Sequence, residues 1–190
     1  MAAVVCLIAA GLTALEIEDR ATAADVALVA QRLEMADRVT DEIAGYLVEL
    51  GTDGRLLGLQ LEELAAGIRR ERDLLFRDFA PGTKGDRALS ALSADELLDL
   101  PAVAAAIGLG AADDPDQQVS GLGYRLLGQV PRLPQTAADR LVAEFGGLQK
   151  LLSATARDLQ RAGGLDPAQA RIVRETLSRI AESALLERYS

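Results

Sequence analysis

The last third of the chain, GYRLLGQVPRLPQTAADRLVAEFGGLQKLLSATARDLQRAGGLDPAQARIVRETLSRI, is interrupted twice by short turn-forming clusters that run directly into a helical pattern. The first cluster is Val130, Pro131, Arg132, Leu133 and Pro134, followed by apolar positions Ala138, Leu141 and Val142. The second is Ala162, Gly163, Gly164, Leu165 and Asp166, followed by Ala170, Ile172, Val173 and Leu177. Pro and Gly at this density stop one helix and start the next, so the region reads as two successive hairpins, each feeding a helix.

Residue usage extends the helical reading to the whole chain. Aromatic residues make up 3% of the 190 positions and hydrophobic residues 49%. The cores are therefore built from Leu, Ala and Val, and runs of β-branched and aromatic residues that would mark strands are scarce. An all-α chain with one or two modest cores is expected.

Thr22 followed by Asp25 is an N-terminal helix signal. From there Val26, Val29, Leu33, Ala36, Thr40, Ile43, Leu47 and Leu50 recur in steps of three and four, a stripe by which one long helix packs along another. Gly51, Thr52, Asp53 and Gly54 end it. A second helix is expected over 55–79, with Leu57, Leu61, Leu64, Ile68 and Leu75 on one face, so that the two form an antiparallel pair. The charged run from Arg69 to Asp73 reads as a solvated face. A loop over 80–85, a Ser93/Glu96 capping pair, a short helix opened by Pro101 and a stop at Gly108 and Gly110 follow. Residues 111–120 form the expected boundary. Beyond it, helices are expected over 121–129, 134–145, 147–153, 156–162 and 167–186, with Thr155/Asp158 as a further cap. Gly146, Gly147, Gly163 and Gly164 mark tight connections where φ > 0 is needed.

The net charge of −9 is unevenly spread. Residues 1–120 hold 10 Lys and Arg against 22 Asp and Glu, whereas residues 121–190 hold 10 against 7. The hairpin region is thus locally basic, as phosphate binding requires. Cys6 is the single cysteine and histidine is absent, which excludes an internal disulfide, a cysteine-cluster metal site and histidine-based catalysis. An intracellular protein is expected. The apolar stretch 2–10 lacks a basic start and is too short to span a membrane, so it reads as the tail of a helix.

A hairpin that opens a helix presents successive N–H groups where the helix dipole also favours an anion, and phosphate is the natural ligand. The segments VPRLPQTAADRLV and AGGLDPAQARIV resemble the helix-hairpin-helix motif. Arg132 and Pro134 stand at its two glycine positions in the first hairpin, with Leu133 between them. Gly164 and Asp166 stand there in the second, preceded by Gly163, while Ala138 and Ala170 match its packing alanine. Arg132, Arg161 and Arg171 are candidates for charge contact with phosphate, and Gln135, Thr136, Ala168 and Gln169 for amide contact. Asp166 would repel a phosphate, so the second hairpin is expected to bind weakly or to serve as structure. A double hairpin that only packs as a small domain is the competing reading.

The runs LTALEIED (12–19), VALVAQRLEMADRVTDEIAGYLVELGTDGRLLGLQLEEL (26–64), GYRLLGQVPRLP (123–134) and ALLERY (184–189) resemble the central and C-terminal parts of the DisA family of bacterial DNA integrity scanning proteins. Residues 1–11 depart from the family, whose polar helical lead is replaced here by MAAVVCLIAAG, while the resemblance implies an elongated helical linker bundle over 12–115 and a small helix-hairpin-helix domain, RuvA domain 2-like, over 121–190. It implies branched DNA, such as a Holliday junction, as partner, no membrane, and a cytoplasmic, nucleoid-associated location; separately, the stripe from Val26 to Leu50 on the linker helices is a candidate face for self-association or for another helical subunit. Members also carry a diadenylate cyclase domain that joins two ATP into cyclic di-AMP with Mg or Mn, using Asp-Gly-Ala and Arg-His-Arg motifs. Without histidine the second motif cannot exist here, and Asp53, Gly54, Arg55 lies in a linker turn. This chain is expected to need no cofactor, to have no catalytic or metal-binding residue and to make no cyclic di-AMP alone.

Overall fold

A computed structural model describes residues 11–49, 54–82, 84–109, 114 and 116–188. Among these the fold is all-α, without a strand beyond one isolated bridge between Thr22 and Gln118. The first half contains α1 (11–17), α2 (Ala23–Glu49), α3 (Arg55–Phe79), α4 (Gly85–Ser90), α5 (Ala94–Leu98) and α6 (Leu100–Ala106). At 1.5 Å per residue α2 is about 40 Å long. It starts where expected because Thr22 and Asp25 cap each other. The Asp25 carboxylate accepts from the Thr22 N–H at 2.9 Å, and the Thr22 hydroxyl oxygen accepts from the Asp25 N–H at 3.3 Å. Ser93 and Glu96 form the same box ahead of α5, and Pro101 sits in the first turn of α6.

Val26, Val29 and Leu33 of α2 meet Ile68 and Leu75 of α3 in a first core, which Leu89, Leu97 and Val103 of the short helices and Ile107, just past α6, complete. The stripe is buried only where those helices cover it. Past Thr40 it surfaces: Ile43 is 42% exposed, and Leu57, expected on the buried face of α3, is 53% exposed. Two helices packed only on each other cannot enclose both faces of either. Leu50, Gly51, Thr52 and Asp53 lie outside the described residues, as does the segment 1–10.

The charged run of α3 is a solvated face only in part: Arg69, Arg70 and Asp73 are exposed as expected, Glu71 is half-buried and Arg72 is buried. Arg72 is 5% exposed, pairs with Glu34 and donates to the Asp86 carbonyl at 2.9 Å and the Ser90 hydroxyl at 2.6 Å. Arg69 reaches Asp37 and Asp41, each at 3.2 Å. Arg70 donates to the Gly128 carbonyl at 2.7 Å, and Glu71 accepts from Arg125 at 2.9 Å. The run also ties α3 to three neighbours: Arg69 and Arg72 to α2, Arg72 to α4, and Arg70 and Glu71 to the second half of the chain. Gly85, expected in the loop, instead begins α4.

The second half contains α7 (Tyr124–Leu127), α8 (Gln135–Phe145), α9 (Leu148–Ser153), α10 (Ala156–Gly163) and α11 (Pro167–Arg188) around a second core of Leu126, Leu141, Leu151, Leu159, Val173 and Leu177. Thr155 and Asp158 cap α10 as expected. Gly146 and Gly164 take φ of 65° and 63°, whereas Gly163 is helical and Gly147 extended, so two of the four glycines expected at positive φ do not need it. Within the expected boundary over 111–120, the described residues run beside the start of α2. The Ala23 N–H donates to the Gln117 carbonyl and the Val119 N–H to the Ala21 carbonyl, both at 2.9 Å, which pins them there.

Candidate nucleic-acid interface

The first turn begins where Gly128 closes α7 by donating to the Tyr124 carbonyl at 2.8 Å. The Leu133 N–H then reaches back to the Val130 carbonyl at 3.4 Å, giving a four-residue turn with Pro131 second and Arg132 third. Proline presets the second position, and the third requires a positive φ. Arg132 supplies it at 57°, in the left-handed region that glycine usually fills. Pro134 is the N-cap of α8, and its carbonyl accepts from Ala137 at 2.9 Å and Ala138 at 3.1 Å. Proline has no side-chain acceptor, so no side chain caps the first turn of α8, where the Gln135 and Thr136 amides lie. Arg132, Pro134, Gln135 and Thr136 are exposed, and Leu133 is half-buried against the second core.

The second turn repeats this order of roles with different chemistry. Gly164 and Leu165 both donate to the Gln160 carbonyl, a glycine-terminated helix end, and Leu165 is buried beneath it. Asp166 then occupies the place of Pro134. Its Oδ1 accepts from the Ala168 and Gln169 amides, each at 2.8 Å, and Gln169 Oε1 accepts in return from the Asp166 N–H at 3.4 Å. The two amides named as anion contacts are therefore held by the chain's own carboxylate. The Asp-x-x-Gln spacing of a capping box carried this signal in the sequence. Ala138 and Ala170, four residues past each N-cap, are both buried as the alanine position demands.

Gly163 is buried, and a Cβ there would lie 3.0 Å from Leu165 Cγ and 3.2 Å from Leu141 Cδ2, so its place in the turn is one of packing. Arg161, Gly164, Asp166, Ala168 and Arg171 are exposed and Gln169 half-buried. Sequence reading missed Arg140. Its Nη1 lies 2.8 Å from where a Gly164 Cβ would stand, which places a guanidinium of α8 beside the second turn. Packing of α8 on α10 creates that proximity, and no local pattern announces it.

A buried polar joint fixes the first turn to the spine. Both oxygens of Asp78, at the end of α3, accept backbone N–H groups that open α7: Oδ1 from Gly123 at 2.7 Å and Tyr124 at 2.6 Å, Oδ2 from Arg125 at 2.7 Å. Burial pushes the Asp78 carboxyl up to about 6 despite these three bonds. The Arg125 side chain, 2% exposed, pairs with Glu16 of α1 and Glu71 of α3. Burial alone would lower its pKa, but the carboxylates around it outweigh burial and hold its proton more tightly. Burial pushes the Glu16 carboxyl up to about 8 against the pull of Arg125. On the outer side Arg77 pairs with Asp139 of α8 and stacks over the Tyr124 ring at 4.1 Å.

Fold and joint define an all-α protein in which a long antiparallel helix pair, covered at one end by short helices, is bolted to a compact unit of two helix-opening turns. Among the described residues no group of His, Cys, Asp and Glu could hold a metal ion, and no helix is long and apolar enough to cross a membrane. A model of the DisA bacterial checkpoint controller linker region matches residues 3–115, and the chain belongs to this family. The match takes in most of the 1–11 segment that departs from the resemblance. Proteins named DNA integrity scanning protein DisA are similar along nearly the whole chain. That of Acidothermus cellulolyticus is 56% identical over 187 residues, covering 94% of this chain and 51% of its own length. That of Frankia alni is 56% identical over 190 residues (96% and 53%), and that of Streptomyces coelicolor 54% over 192 (96% and 51%). The chain spans about half the length of these curated relatives.

Proposed function

We propose that this chain is a DNA-binding part of a DisA-like protein, and that residues 121–190 grip the backbone of branched DNA through helix-hairpin-helix turns without reading sequence. The observation that carries this reading is the first turn. An exposed Arg132 in the left-handed conformation stands immediately before a helix whose first turn has no side-chain cap, the arrangement suited to a phosphate. Membership of a family whose relatives are named for DNA integrity scanning supports the same ligand. Arg132, Leu133, Pro134, Gln135 and Thr136 form the principal contact. Arg161, Gly164, Arg171 and Arg140 flank a weaker second one, in which Asp166 competes for the Ala168 and Gln169 amides. A cytoplasmic, nucleoid-associated location follows from such a role.

The test is titration of the 190-residue chain with a four-way junction and with plain duplex at two salt concentrations. Preference for the junction, falling steeply with salt, is expected. Equal or absent binding to both would overturn the junction claim. Diadenylate cyclase activity, which the resemblance implies for the family, is not expected of this chain, since without histidine it has no Arg-His-Arg motif. Cyclic di-AMP formed from ATP by the purified chain with Mg or Mn would refute that.

A further reading, self-association through the spine, is favoured by one observation. Met35, Val39, Ile43 and Tyr46 follow one another at helical spacing along α2, between 42% and 61% exposed, and α3 exposes Leu56, Leu57 and Leu59 as well. A second copy of the chain would cover this face. Light scattering that finds a monomer at high concentration would exclude it.

A further inference from the structure

The joint holds more negative charge than it can neutralise. Three carboxylates, those of Glu16, Glu71 and Asp78, face the single guanidinium of Arg125. Asp78 is committed to three amides, and Glu71 keeps 21% of its side chain in water. Glu16 has neither relief. Its side chain is 1% exposed, Oε2 meets Arg125, and Oε1 is buried without a hydrogen-bond partner among the described residues. A buried cluster with excess negative charge takes up a proton, and the carboxylate with least water and fewest donors is where it goes.

The helix that carries Glu16 belongs to both halves of the fold. Leu12 lies in the first core and Ile17 packs on the second. Gln149 of α9 donates to the carbonyls of Glu16 at 3.2 Å and Ile17 at 2.9 Å, and Thr13 Oγ1 accepts from Arg125 at 3.4 Å. Arg125 in turn lies within α7, three residues before the glycine that opens the first turn. One side chain thus touches α1, the spine and the helix leading to the candidate DNA contact.

We propose that Glu16 is a single-proton latch between α1 and the first turn. With the proton on, the joint is closed and α1 lies against Arg125. With the proton lost to solvent, a second uncompensated charge appears among Glu71 and Asp78, and Glu16 moves toward water, lifting α1 off α7 and removing the α1 contact of Arg125 from behind the first turn, whose ties to α3 through Arg70, Arg77 and Asp78 remain. Among the described residues the ionised groups that face Glu16 are Arg125 from α7 and Glu71 and Asp78 from α3; α9 presents the neutral Gln149. On its own segment the nearest charges, Glu18 and Arg20, pair with each other at 3.5 Å. Burial, placing the Glu16 carboxyl at about 8, sets the latch just above neutral pH.

The latch itself does not depend on the DNA reading; only its effect on affinity rests on that reading. Carbon-detected NMR of the full chain labelled at glutamate carboxyls, with amide shifts recorded from pH 6 to 9.5, tests it. Glu16, the α1 amides and the amides of 124–133 are expected to titrate together near pH 8. Glu16→Gln should abolish the shared transition, and Glu71→Gln should move it to lower pH by removing one repelling charge. A Glu16 carboxyl that titrates in the ordinary range, or a transition confined to α1, would overturn the proposal. In a parallel arm, four-way junction affinity of the wild type should change several-fold across the transition and that of Glu16→Gln should not. A chain that binds no junction at any pH sinks the DNA reading, while the carboxyl titration still decides the latch. Junction affinity that changes equally in both proteins counts against the latch.

Discussion

Replacing Asp166 by alanine should weaken the fold and strengthen DNA binding, two effects of opposite sign from one side chain. Asp166 Oδ1 holds the Ala168 and Gln169 amides, each at 2.8 Å, at an exposed helix start. Truncation leaves both amides to water, so the cost is that of a lost N-cap, about 1 kcal/mol. In a chain of this length that lowers Tm by roughly 2–4 °C. The same truncation frees two donors and removes a negative charge where a phosphate would sit. Junction affinity at low salt should rise between three- and tenfold, the upper figure corresponding to about 1.4 kcal/mol. Asp166→Asn separates the two causes, since asparagine keeps the cap but not the charge. Its stability should stay near wild type while its affinity rises by the smaller, electrostatic part. Urea denaturation and fluorescence anisotropy titration measure both quantities. Alanine that costs stability yet leaves affinity unchanged would show that the second turn does not face DNA, and alanine without a stability cost would show that the cap is not made.

Arg132→Gly should raise stability by about 1 kcal/mol, because glycine adopts φ near 57° without steric cost, and should weaken junction binding with a salt slope shallower by about 1; an unchanged slope would remove Arg132 from the contact. Stability should also depend on pH through Glu16. Its carboxyl lies at about 8 in the folded chain against an ordinary 4.5, so the folded state holds the extra proton between those values. The contribution is therefore complete below pH 4.5 and lost as pH rises through 8, by up to about 5 kcal/mol. Denaturant midpoints at pH 6, 7.5 and 9 should fall in the wild type and less in Glu16→Gln, and a flat wild-type profile would refute the assignment. Asp78→Ala should destabilise by about 3–5 kcal/mol, since it leaves two buried amides and one part-buried amide without their acceptor; a loss under 1 kcal/mol in urea denaturation would mean that the joint carries little of the fold.

Features encoded within four residues were legible in the sequence, and those encoded across the chain were not. The pairs Thr22/Asp25, Ser93/Glu96 and Thr155/Asp158 cap helices as their spacing foretells, since a reciprocal cap needs nothing beyond its own turn. The helices of the second half begin and end within a few residues of the positions that Gly and Pro imply. Burial of charge was invisible. Glu16 and Arg125 lie 109 residues apart, and no periodicity distinguishes Arg72, inside the fold, from Arg69 beside solvent. Leu57 shows the converse, since an apolar stripe is buried only if something covers it. The adjacent Gly163 and Gly164 look alike in sequence, yet one is required by close packing and the other by its φ.

The two turns differ in what lies behind them as well as at their tips, and this bears on which of them can transmit a load. Behind the first, Arg70 holds the Gly128 carbonyl, Arg77 holds Asp139, and Asp78 holds the amides of α7. All three come from α3, and they sit at both ends of the turn. The second turn closes on Gln160 and on Asp166 itself, with Arg140 of α8 alongside. A force applied at Arg132 or Gln135 therefore passes into the spine through short charged contacts, whereas one applied at Gly164 must first cross the apolar core of the small unit. Stiff ionic ties to the spine and a first helical turn without a side-chain cap coincide at the same turn. If the first turn is the DNA contact proposed above, that coincidence lets its occupancy be felt elsewhere in the molecule, while the self-capped second turn holds α10 and α11 together behind it.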